Sequence, residues 1–241
     1  MTVLRRLVEY ADRANLVAEM YAEAPVNWII DLTPDGKLEG FVRLDKARMF
    51  IPARRTKTEP RPIADTAKYA LGVEGADKKH AAFMELAREA ARETREGAVH
   101  AAVKFFEGLD PAEIPEELTG ADNVVFRVAG QLVHDLESVQ RFWARASVRD
   151  DRVPGRCLVT GEDGYVERIL PGKIKGVPHP APPRGVALVS AKHGSTHHHG
   201  LESSLNFPIS RRAAEKYSNA LNALLRDEKS RVRIGPVVYV F

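Results

Sequence analysis

Leu4, Leu7, Val8 and Ala11 recur at helical spacing behind Thr2, whose hydroxyl suits an N-cap, so the opening pattern predicts an amphipathic helix to about Glu23, ended by Pro25. Beyond it the period changes. Residues 26–32 and 38–44 are rich in β-branched and aromatic side chains and flank Thr33-Pro34-Asp35-Gly36-Lys37, a run of turn formers, which predicts a β-hairpin. A third strand is expected at 49–52. It leads into 53–62, where charge and the prolines Pro60 and Pro62 oppose regular structure.

The middle of the chain reads as mainly helical. A short helix over 64–71 is stopped by Gly72, Asp77 caps a longer one with Phe83, Leu86, Ala87 and Ala90 facing inward, and Gly97 separates this from a helix over 99–106. After an acidic link at 110–117, residues 123–128 predict a buried strand and Leu136, Val139, Phe142 and Trp143 another helix. From 151 onward strands are expected at 156–159, 165–170, 185–190 and 231–241, with one helix over 210–225. The class is α+β: an amino-terminal helix and β-hairpin, a helical middle, and a mixed β-rich carboxy-terminal part with one helix. Parts 1–150 and 151–241 are expected to pack as one continuous domain. The bare apolar strand ending at Phe241 predicts a neighbour over it, either the rest of a larger protein or a partner subunit.

At 241 residues and 44% apolar content the chain can fill a core, so a disordered tail is excluded. Its apolar runs fall far short of the roughly 18 residues of a membrane span, and no signal-peptide pattern opens it, which predicts a cytoplasmic protein without a membrane partner. A single cysteine, Cys157, rules out internal disulfides and cysteine-pair zinc sites. It is expected mid-strand as a buried structural thiol. Phosphate-loop, dinucleotide-binding, zinc-protease and nucleophile-elbow signatures are all missing, so the expectation is a binding protein without cofactors rather than an enzyme.

Charge placement is more informative than the net value of +3. Residues 151–241 hold 14 Lys and Arg against 8 Asp and Glu, leaving 22 against 25 for the first 150. Within that acidic part, Lys46, Arg48, Arg54, Arg55, Lys57 and Arg61 are opposed only by Glu59 between 46 and 61. In the 53–62 loop the cations alternate with Thr56 and Thr58, which can donate to phosphates. The second basic stretch supplies Lys173, Lys175 and Lys192 beside Ser203, Ser204 and Asn206, whose hydroxyls and amide can read base edges. This mixture points to duplex DNA, with Arg54, Arg55, Lys57, Lys173 and Lys175 on phosphates and Arg61, Ser203, Ser204 and Asn206 reading bases or wedging strands. Stacking aromatics are scarce there, which argues against a single-strand platform. A competing reading takes His193, His197, His198 and His199 with Glu202 as a metal-dependent nuclease site, although neighbouring side chains on an extended loop point in alternating directions.

Seven ordered blocks carry a family resemblance. They are Asp65-Thr66-Ala67-Lys68-Tyr69-Ala70-Leu71-Gly72, Val124-Val125-Phe126-Arg127-Val128, Cys157-Leu158-Val159-Thr160-Gly161-Glu162, Lys173-Ile174-Lys175-Gly176-Val177, Ala187-Leu188-Val189-Ser190, Asn206-Phe207-Pro208-Ile209-Ser210 and Arg231-Val232-Arg233-Ile234-Gly235. In sequence and order they resemble the large subunit of the type I-C CRISPR Cascade complex. The resemblance implies a non-cutting DNA-recognition subunit that reads the protospacer-adjacent motif in double-stranded DNA, helps to open the duplex and supports docking of the helicase-nuclease. Implied partners are crRNA and the backbone, crRNA 5′-handle-binding and small subunits; a purely structural crRNA-holding adaptor is the other binding role. Three departures stand out. Pro60-Arg61-Pro62 replaces the family's Pro-Asn-Phe, putting a guanidinium where an amide is usual; the 192–200 loop differs; and the family's helical carboxy-terminal region is absent, which predicts a fragment or a compact variant.

Overall fold

The computed structural model describes residues 2–14, 16, 18–45, 47–55, 58–147, 153–177, 181–182, 185–190, 203–235 and 237–241. In chain order the elements are α1 (Val3–Arg13), β1 (Tyr21–Pro25), β2 (Trp28–Leu32), β3 (Leu38–Arg43), β4 (Arg48–Pro52), β5 (Ala64–Thr66), α2 (Ala67–Ala70), α3 (Asp77–Thr94), α4 (Gly97–Gly108), β6 (Asn123–Val128), β7 (Gln131–Leu132), α5 (Glu137–Ala146), β8 (Val153–Arg156), β9 (Asp163–Val166), α6 (Arg211–Arg226), β10 (Arg231–Ile234) and β11 (Val237–Val240). The fold is α+β. It divides into two compact units, residues 19–148 and residues 1–18 with 149–241.

The 19–148 unit is built on a sheet of order β3-β2-β6-β5, with β7 on β6 and β2 parallel to β6. β6 is covered on both faces, which is why Val124-Val125-Phe126 reads as a continuous apolar run. Val125 packs with Val26, Ile29, Ile51 and Ala64. Phe126 meets α4 edge-on, its ring 4.8 Å from Phe106, which is itself 5.1 Å from Phe83 of α3. The β2–β3 hairpin has the expected turn, with Gly36 at φ +87°; a Cβ there would lie 2.6 Å from the Ala101 carbonyl oxygen, so only glycine allows this approach to α4.

Two expectations are corrected. The opening helix ends at Arg13, because Met20 takes a left-handed φ of 62° and Tyr21–Pro25 pairs antiparallel with β4. That strand pairing overrides the helical propensity of the Ala- and Glu-rich segment. Likewise 64–71 is not one helix: Ala64–Thr66 pairs with β6, and only the following turn is helical.

In the other unit α1 packs on α6. Leu7, Val8 and Ala11 share a core with Ala213, Ala214, Tyr217, Ala220, Cys157, Val159 and Ile209. Thr2 caps α1 as expected, its hydroxyl accepting from the Arg5 N–H at 3.3 Å. The strands differ from expectation. The 156–159 stretch is the end of β8 followed by a turn, in which the Cys157 N–H donates to the Glu162 carbonyl at 2.9 Å and the Gly161 N–H to the Cys157 carbonyl at 2.8 Å. The expected 165–170 strand is β9, ending at Val166, and 185–190 holds a single antiparallel bridge between Ile174 and Val186. The terminal stretch is a hairpin, β10 on β11, turning at Gly235 with φ +60°.

Candidate nucleic-acid interface

The 53–62 loop leaves β4 at Pro52 and is pinned at its start. The Ala53 N–H donates to the Met20 carbonyl at 2.6 Å, and the Trp143 indole N–H of α5 to the Ala53 carbonyl at 3.0 Å. The arginines that follow turn to the protein. Arg54 donates to the Glu59 carbonyl and to the Asp65 carboxylate, with its guanidinium 4.3 Å from the Tyr69 ring centroid. The Tyr69 hydroxyl donates to the Thr58 carbonyl at 2.7 Å. Arg55 donates to the Ala146 carbonyl at 2.8 Å, pairs with Glu59 at 3.2 Å, and lies 5.5 Å from the Trp143 ring.

Arg61 is the largest departure from expectation. Assigned by sequence to base reading, it is buried, because the fully buried carboxylate of Asp65 draws it inward. Asp65 accepts from the Arg61 backbone N–H at 2.8 Å, from its Nη2 at 3.0 Å and from the Thr66 N–H at 2.6 Å. Arg61 Nη2 also donates to Asn123 Oδ1 at 2.6 Å, and Asn123 Nδ2 to the Pro25 carbonyl at 2.8 Å, tying the loop to the start of β6. Burial pulls Arg61 below an arginine's usual value, Asp65 opposes that, and Arg54 adds to it. Arg54 and Arg61 thus share one carboxylate.

Close by lies a group that sequence reading passed over. His134 is buried, and both its ring nitrogens lack a hydrogen-bond partner; Nε2 is 3.5 Å from Asp135 Oδ1. Burial lowers its pKa, Asp135 working against the shift and Arg61 with it. The Tyr21 hydroxyl donates to the His134 carbonyl at 2.6 Å, and burial followed by the charge of Asp135 raises the pKa of that phenol.

In the other unit Lys173 and Lys175 are exposed and flank Ile174, which is 2% exposed. Their backbone rests on α6. The Lys175 N–H donates to Asn222 Oδ1 at 2.8 Å, and Asn222 Nδ2 donates to the Lys173 carbonyl at 2.9 Å. Ser204 is buried within the short 3-10 turn Ser203–Asn206, its N–H donating to the Arg168 carbonyl at 3.1 Å, which sets it inside the fold rather than at the surface expected of a base reader. Asn206, in the same turn, is half-buried. Thr56, Lys57, Lys192, His193, His197, His198, His199 and Glu202 lie outside the described residues, as does the Ser203 side chain.

Cys157 is buried in a turn beside the start of α6, where the N-cap Ser210 donates to its sulfur from the backbone N–H at 3.4 Å and from the hydroxyl at 3.5 Å. Burial pushes the thiol up, but hydrogen bonds from Ser210 and Thr160 outweigh it and bring the value down to about 7. Among the described residues no group of three or more His, Cys, Asp or Glu side chains is placed to hold a metal, and no helix is long and apolar enough to cross a membrane.

Residues that sequence reading missed are Asp65, Asn123, His134 and Asn222. Only Asp65 left a nearby signal, a lone carboxylate four positions after Arg61. The described cations of the two basic stretches therefore differ in availability: Arg54, Arg55 and Arg61 are engaged by their own unit, whereas Lys173 and Lys175 are exposed. The family described as CRISPR-associated protein (Cas_Csd1) matches residues 5–241, and the chain belongs to it. No curated protein matches the chain.

Proposed function

We propose that this CRISPR-associated chain is the DNA-recognition large subunit of a type I-C effector complex assembled on crRNA, a binding subunit that does no cutting. It would read a short protospacer-adjacent motif in double-stranded target DNA, assist duplex opening and support docking of the helicase-nuclease. Guide pairing supplies the long sequence match in such complexes, leaving the protein to hold phosphates and sense a few base pairs. The observation that carries the reading is the outward pair Lys173 and Lys175 on a latched backbone, in a member of a CRISPR-associated family. Arg54, Arg55 and Arg61 take the task of shaping the 53–62 loop, with Thr56, Lys57 and Lys192 as further phosphate contacts and Ser203 and Asn206 as polar neighbours of the strand. The backbone, 5′-handle-binding and small subunits are the expected protein partners.

The test is target binding by the assembled complex over a salt series. Lys173→Glu with Lys175→Glu is expected to weaken binding to all duplexes alike, because phosphate contacts carry no sequence information. Unaltered affinity would overturn the assignment of this surface.

A further inference from the structure

The Lys173-Ile174-Lys175 segment is held along both of its backbone edges. On one edge the Ile174 N–H donates to the Val186 carbonyl at 2.8 Å, and the Val186 N–H returns to the Ile174 carbonyl at 3.0 Å. On the other edge there is no strand among the described residues. The carboxamide of Asn222 stands in for one, accepting from the Lys175 N–H and donating to the Lys173 carbonyl. In an extended backbone these groups face opposite edges, so every N–H and C=O between the Lys173 carbonyl and the Lys175 N–H has a partner.

The side chains follow from the same geometry. Alternation sends Ile174 into the protein and Lys173 and Lys175 away from it. Two residues of extended backbone advance about 6.6–6.8 Å, comparable to the step between neighbouring phosphates along one nucleic-acid strand. One helical turn before Asn222, Ser218 meets Gly172; a Cβ at Gly172 would lie 2.4 Å from the Ser218 hydroxyl, and φ there is +86°. Gly172 thus lets the segment lie against α6 at the point where Asn222 can reach it. Among the described residues no carboxylate lies within ion-pairing distance of either ammonium, whereas Lys216 of α6 pairs with Asp12 and Arg211 with Glu215.

We propose that Lys173 and Lys175 form a preorganised clamp for two successive phosphates of one nucleic-acid strand, and that Asn222 is the positioning residue that sets it. The clamp rests on the reading of the chain as a nucleic-acid-binding subunit. Asn222 brings no charge. Its part is to fix the backbone from which both cations project, removing ordering cost from binding.

The experiment measures binding of the purified full chain to a labelled duplex and to its single strand over a salt series. It compares wild type, Asn222→Ala, Lys173→Gln/Lys175→Gln and the triple variant, with melting curves recorded for each. Removing both lysines is expected to reduce the duplex salt slope by about 1.8, the value for two phosphate contacts. Asn222→Ala is expected to weaken binding about three- to tenfold while leaving that slope unchanged, and to have no effect in the lysine-free background. Asn222→Gln, which keeps the carboxamide, should recover part of the loss and provides a second handle should alanine melt the fold. Equal weakening by Asn222→Ala in both backgrounds would make it ordinary scaffold and overturn the positioning role. An unchanged slope for the lysine pair, with wild type still bound, would overturn the clamp alone. Binding of wild type to neither probe would remove the functional reading and the clamp with it.

Discussion

The 53–62 loop and the 173–175 segment both carry long cations, yet the described ones are used in opposite ways. In the loop, Arg54 and Arg61 converge on the buried Asp65, while Arg55 is drawn to the Ala146 carbonyl and Glu59. In the segment, the backbone is fixed by Asn222 and Val186, and the lysine charges are left outward. The residue types suit these tasks. A guanidinium has five donors in a planar fork and can satisfy a carboxylate and an amide oxygen at once, as Arg61 does; an ammonium on a flexible stem is a point charge fitted to a hydrated phosphate. A charge run in a sequence therefore does not define an anion-binding surface. What the neighbouring carboxylates do with it decides.

The largest effect that would break this contrast comes from Asp65. Asp65→Ala leaves two guanidinium groups without their shared carboxylate, one of them buried, and is expected to cost about 3–5 kcal/mol in a denaturant unfolding curve. A loss below about 1 kcal/mol would show that the loop arginines are not held as described. Next comes Gly172, where alanine combines a left-handed φ with the Ser218 hydroxyl; about 1–3 kcal/mol of destabilisation is expected. The substitution should also lift the lysine segment from α6, seen as faster amide exchange at Lys175.

A smaller effect is set by pH. The folded-state pKa of His134 is lowered below its usual 6.5, so the fold favours the neutral ring. The stability this contributes is complete above about pH 6.5 and declines as pH falls from there towards the folded-state value. His134→Leu should flatten the stability profile over that interval, and an identical profile would exclude His134 as its source. Smallest is Ser210→Ala, which removes the N-cap of α6 for about 1 kcal/mol. The same change takes one hydrogen bond from Cys157, so the thiol should titrate above about 7 in a pH series of alkylation rates.

Sequence pattern located the elements whose pairing is local. The β2–β3 hairpin follows from its turn formers, and β6, α5 and α6 from apolar runs or stripes long enough to leave one reading. It missed elements decided by distant partners. Residues 21–25 have helical composition but pair with β4, and three residues at Ala64 become a strand because β6 offers an edge. The site divided in the same way. Counting charges found both basic stretches, but the fate of each charge depends on residues far along the chain: Asn123 for Arg61, and Asn222, 47 to 49 positions from the lysine backbone it holds. Asn222 lies within a helical pattern where a polar residue reads as solvated surface. Its role is visible only once α6 and the 172–175 segment are side by side.

The contrast between the two basic stretches is tested most directly by the salt dependence of duplex affinity, measured side by side for Arg54→Gln and for Lys173→Gln/Lys175→Gln. A charge already paired with Asp65 has few counterions to release on binding, so the slope for Arg54→Gln should match wild type, while the lysine pair lowers it by about 1.8. A lower slope for Arg54→Gln together with an unaltered one for the lysine pair would contradict the assignment of the two regions.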